Sequence, residues 1–183
     1  MNLVAELQKK HTVAIKNRII RYVGTDRKRF AALVRIFLGD NYRLTQWAGW
    51  PLSDIVKKHP ELIRPYLRSM LKSIDRPNMH EAVKRNVMRL LQFIDIPKSV
   101  AGLAFDKAFT LFTNTSEPIA VRVFAMQIMA DVAMMEPDLK TEVVLAIEED
   151  LPYGSPAYKS RARRILKKLK TNDGRERPHL QEL

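Results

Sequence analysis

Three X-Pro steps, each opening a new apolar-periodic segment, recur along this chain: His59-Pro60-Glu61-Leu62, Ile96-Pro97-Lys98-Ser99 and Glu136-Pro137-Asp138-Leu139. The prolines stand 97 − 60 = 37 and 137 − 97 = 40 residues apart. Proline suits the first turn of a helix, where its missing N–H has no partner to lose, and it pushes the preceding residue out of the helical region. Each step therefore marks a boundary, and two helices fit between one boundary and the next. A helix pair repeated at this period buries its apolar side by stacking on the next pair, which predicts an all-α superhelix, or α-solenoid. Such a fold offers a long surface rather than an enclosed pocket.

Composition supports helices over strands. Glycine is scarce, at 6 of 183 residues, and several of the 10 prolines sit at helix starts. The absence of cysteine excludes disulfides, cysteine-based metal sites and cysteine nucleophiles. The start, Met1-Asn2-Leu3-Val4-Ala5-Glu6, has neither a basic nor a long apolar region, so no signal peptide is expected. The most apolar stretch, Ile119 to Met135, contains Arg122, Gln127 and Asp131. It reads as a buried mid-stack helix and not as a membrane span. The expected setting is the cytoplasm, with no membrane association.

The spacing predicts a short helix or arm over residues 2–10 and a helix from His11-Thr12 to Gly24. The next begins after Thr25 as N-cap, and Gly39-Asp40-Asn41 is the turn before a helix from Tyr42 to Lys58. Pairs follow over Pro60 to Asp75 with Met79 to Ile94, and over Pro97 to Phe112 with Glu117 to Met135. The fourth is Pro137 to Asp150 with Pro156 to Lys170. Asn78 with Glu81 fits a capping box; Ser116 and Ser155 are further N-caps. The last helix carries one apolar stripe, Ala162, Ile165, Leu166 and Leu169, among basic residues, as a terminal cap requires. Residues 1–170 are expected to form one repeat domain, about four helix pairs plus an N-terminal helix. Residues 171–183 show no helical periodicity and read as a C-terminal tail.

Helix pairs of about 38 residues, Pro early in the first helix and a basic residue near the start of the second (Arg43, Arg85, Arg122, Arg161) together resemble HEAT-like helical repeats over residues 11–170. The resemblance implies a scaffold that binds a partner along a groove, although fold alone does not assign function.

The search for catalytic motifs is negative. No phosphate-binding glycine loop and no G-x-S-x-G elbow occurs. His80-Glu81 begins like a zinc-protease helix, but Lys84 stands where the second histidine belongs. No cofactor, metal or catalytic residue is expected. One constellation stands out. Arg43, Trp47, Trp50 and Asp54 follow i, i+4, i+7, i+11 and share one helix face, about a quarter turn from the apolar face of Leu44, Ala48, Leu52 and Ile55. An aromatic wall with a cation and a carboxylate can stack a base and position a charge. This face resembles the groove of the HEAT-like alkylpurine DNA glycosylases. That likeness would make Trp47 or Trp50 the wall and Asp54 the carboxylate, although no second aromatic cluster follows in the chain. The structural alternative packs Trp47 on a neighbouring helix and pairs Arg43 with Asp54 at the surface.

Charge is uneven. Residues 1–98 carry 20 basic and 8 acidic side chains (+12), residues 99–154 carry 3 and 9 (−6), and residues 155–183 carry 9 and 3 (+6). Arg64, Arg68 and Lys72 form one basic stripe, and Arg85 and Arg89 another. They are either solvated helix faces or a ladder of cations for a polyanion. The reading is a non-enzymatic scaffold for a macromolecular partner, held in the groove or on the basic N-terminal half. The alternative is a nucleic-acid-binding, glycosylase-like repair protein.

Overall fold

A computed structural model describes residues 1–9, 11–77 and 81–171. Among these residues there are ten α-helices and no strand. They are α1 (Leu3–Leu7), α2 (Val13–Val23), α3 (Arg27–Phe37), α4 (Tyr42–Lys58), α5 (Leu67–Ser73), α6 (Glu81–Leu91), α7 (Lys98–Thr113), α8 (Ile119–Ala133), α9 (Lys140–Asp150) and α10 (Pro156–Thr171). Helices α2, α4, α6, α8 and α10 touch in sequence order and form one layer. Behind them lie α3, α5, α7 and α9. This is the expected α-α superhelix of stacked pairs. Its single core runs the length of the stack, from Leu3 to Leu169.

Local chemistry sets the helix ends. Thr12 accepts from Ile15 N at 3.3 Å and opens α2; Gly24, with φ +48°, ends it in a conformation open mainly to glycine. Asn41 accepts from Leu44 N at 3.2 Å and opens α4. The cap of α3 is Asp26 and not Thr25: its carboxylate accepts from Lys28 N and Arg29 N at 2.9 and 3.0 Å, two otherwise unpaired donors. These two bonds, the Arg29 one first, hold Asp26 below the usual aspartate range.

The expected helix from Pro60 to Asp75 is broken. Pro60–Leu62 and Arg64–Tyr66 are 3-10 turns, and only Leu67–Ser73 is α-helical. Pro65 is the reason, because inside an α-helix its ring would clash with the preceding turn and its missing N–H would leave a carbonyl unpaired. In the third pair Pro118, extended at φ −54° and ψ 141°, takes the N-cap position of α8 expected for Ser116. Ser155 caps α10, accepting from Tyr158 N at 3.4 Å. The expected Asn78–Glu81 capping box and the tail beyond Thr171 lie outside the described residues.

Helix α8 is the mid-stack helix its composition predicts. It touches α6, α7, α9 and α10, and Met126, Ile128, Met129 and Val132 are fully buried. Arg122 at its start ties the third pair to the fourth: Nε donates to Phe112 O at 2.8 Å, and Nη2 meets Asp150 Oδ1 at 2.5 Å. The hydroxyl of buried Tyr158 donates to the other oxygen of the same carboxylate. Burial first, and that bond second, push the Tyr158 phenol above its ordinary range.

Candidate partner-binding groove

Helix α4 is amphipathic in the expected sense. Ala48, Leu52, Ile55 and Val56 are buried, while Trp47, Trp50 and Asp54 are half-buried and Arg43 is exposed. Helix α2 lies against the tryptophan face. His11, just before α2, sits with its ring 5.1 Å from Trp50, edge to face, and 6.3 Å from Trp47. Lys16 Nζ lies 4.7 Å from the centre of the Trp50 ring and 2.6 Å from Asp54 Oδ2. The Lys16 side chain is only 15 % exposed, so its ammonium is committed to these two partners.

The structure therefore brings Trp47, Trp50 and Asp54 together and leaves Arg43 apart. Arg43 Nε donates to the Tyr42 hydroxyl at 3.1 Å, and the surface pair with Asp54 is replaced by Lys16–Asp54. His11 and Lys16 carried no sequence signal, because Lys16 reaches Asp54 across 38 residues. Alongside runs a groove of about 750 Å³ between α2 and α4, bordered by Lys16, Asn17, Arg21, Asp54, Lys57 and Lys58. Four cations face one carboxylate, and that carboxylate is already paired. Periodicity missed Arg21, Lys57 and Lys58 as site residues because the groove needs two helices to exist.

The other candidate cations fall in separate places. Arg64, Arg68 and Lys72 are exposed on and before α5, in the layer behind α4 and α6, and Arg68 Nη2 donates to Ser99 O at 2.8 Å. Arg85 and Arg89 are half-buried on α6, in the same layer as α4. The two stripes thus belong to different layers and make no common ladder.

Further along that layer, Arg161 of α10 donates through Nη2 to Gln92 Oε1 at 2.6 Å and approaches Gln127 Oε1 at 3.4 Å. Gln127 in turn donates to Asp131 Oδ1 at 3.0 Å. Burial raises the Asp131 carboxyl above the usual range, against the opposing pull of Gln127 and Lys168. A raised native value means the folded state disfavours the ionised form. The cost to stability is present above the ordinary aspartate range and vanishes below it, where both states are protonated. Asp131→Asn is expected to raise Tm slightly at pH 7, and the gain is expected to shrink to nothing below about pH 3. Thermal melts across that range check it; a loss of stability at pH 7 would show that ionised Asp131 is stabilising.

Among the described residues no three His, Asp or Glu side chains are grouped to hold a metal ion, and no helix is long and apolar enough to cross a membrane. Stacked helix pairs with a layered core and an open face define an α-solenoid repeat protein. The chain belongs to the HEAT repeat domain family, whose model matches residues 3–169. No curated protein and no solved structure matches it.

Proposed function

We propose that this HEAT repeat protein is a non-enzymatic scaffold that holds a macromolecular partner along the groove between α2 and α4. The observation that carries the reading is the charge of that groove: Arg21, Lys57 and Lys58 stand beside a carboxylate already neutralised by Lys16. An acidic partner surface compensates those cations without displacing an internal ion pair, and complementary charge speeds its encounter. Half-buried Trp50 lies behind the groove residue Lys16, whose Nζ is 4.7 Å from its ring, and tryptophan is a residue type that often anchors an interface.

The nucleic-acid and glycosylase-like alternative is disfavoured at the same place. A base stacking on Trp50 would have to displace both His11 and Lys16, and Asp54 would have to give up its 2.6 Å ion pair before acting on a substrate.

The test is fluorescence anisotropy of a labelled acidic peptide and of labelled duplex and single-stranded DNA and RNA, at about 50 and 200 mM salt. Peptide binding is expected to weaken with salt, and to fall by at least ~10-fold in the triple variant Arg21→Glu, Lys57→Glu, Lys58→Glu. No binding of any polyanion at the lower salt would overturn the reading. Trp50→Ala is expected to weaken binding by about tenfold while Tm moves by a few degrees at most, since Trp50 lies at the edge of the core. A large fall in Tm with unchanged affinity would make Trp50 a packing residue only.

A further inference from the structure

We propose a second binding site beyond the α2–α4 groove: Arg161 is a receptor for a carboxylate of an acidic peptide lying across α6, α8 and α10. Its guanidinium is held in place before any ligand arrives. Nη2 is anchored by the oxygens of Gln92 and Gln127, and the cation lies 5.8 Å from the centre of the Phe124 ring. Gln92 follows α6 and Arg161 belongs to α10, so this contact spans the width of α8 and draws the face inward around the arginine.

Both anchoring groups are neutral amides, and among the described residues no carboxylate oxygen lies within 4.0 Å of Arg161, Arg85 or Arg89; the Asp131 carboxylate acts on Arg161 only from beyond contact, with Gln127 between them. Nε is sealed from solvent and makes no hydrogen bond. Arg161 as a whole is half-buried, and among the described residues no hydrogen bond engages Nη1, the atom through which a ligand would bind. A partly desolvated guanidinium with neutral partners gains more from an arriving oxyanion than a solvated one, because much of its desolvation cost is already met. Burial first, and the neighbouring Arg164 second, hold Arg161 below the ordinary arginine range, against the pull of the Asp131 carboxylate.

The surroundings favour a peptide over a phosphate backbone. Phe124 is half-buried beside Arg161 and offers apolar contact to a neighbouring peptide side chain.

The sealed Nε–H gives a direct readout, since a shielded guanidinium proton exchanges slowly enough to appear in a proton–nitrogen NMR spectrum. Its resonance is assigned by its loss in Arg161→Lys. Adding an oligo-glutamate peptide is expected to shift this resonance, and an oligo-glutamine peptide to leave it in place. In anisotropy, with the first groove removed by Arg21→Glu, Lys57→Glu and Lys58→Glu, Arg161→Gln is expected to weaken the remaining oligo-glutamate binding by at least ~10-fold with the circular dichroism unchanged. An unmoved resonance, or equal affinity in a folded Arg161→Gln, would overturn the site. An equal shift with inorganic phosphate or duplex DNA would overturn its assignment to an acidic peptide. Should Arg161→Gln unfold, the wild-type titration still decides. Lys57→Glu with Lys58→Glu separates the two proposals: an intact Arg161 response without an effect of that double variant sinks the α2–α4 groove alone, and the converse sinks Arg161 alone.

Discussion

Met129→Lys is expected to cost more than about 4 kcal/mol and to leave little cooperatively folded protein at 37 °C. Met129 is fully buried in α8, the helix that touches four others. A lysine there either ionises in an apolar interior or gives up its proton to enter it. The control is Leu145→Lys on α9. Leu145 is 60 % exposed, so that change is expected to stay within about 0.5 kcal/mol. Chemical denaturation of both variants checks the pair. An unchanged midpoint for Met129→Lys would show that α8 is not buried as described.

The second large effect is expected at the joint between the third and fourth pairs. Tyr158 is 1 % exposed and closes the carboxylate network of Asp150 and Arg122. Tyr158→Ala is expected to cost roughly 3–5 kcal/mol, the range for emptying a buried aromatic site. Gly154 faces the same ring. Its φ of −78° and ψ of 153° suit any residue, so backbone freedom does not explain it. Space does: a Cβ at Gly154 would lie 2.1 Å from Tyr158 Cδ1. Gly154→Ala is therefore expected to be destabilising alone and nearly neutral once Tyr158 is alanine. A double-mutant cycle measures this coupling, and additive losses would break the link between glycine and ring.

The same contrast marks what was legible beforehand. Helix pairs, their period and the burial of α8 are written in proline positions and apolar spacing, which act within a few residues. Even so, Thr25 and Asp26 compete for one cap, and the neighbouring donors chose Asp26 because its carboxylate reaches two of them. Pro65 falls inside an apolar-periodic stretch and holds back the α-helix until Leu67, whereas Pro51 sits inside α4, which is buried along one side and stays helical. A proline's effect depends on how much packing holds the helix around it.

The face of Arg43, Trp47, Trp50 and Asp54 was legible as a face, since helical spacing alone sets it. Its occupants were not. Which cation meets Asp54 was decided by α2 docking 38 residues away, and the guanidinium of Arg161 found Gln92 across 69 residues. Stacked helix pairs with a basic N-terminal half follow from the order of residues alone, because periodicity, capping and charge are local properties. Which cations are spent on internal partners and which are left along the groove depends on which helices share an edge once the stack has closed, and that no local pattern carries.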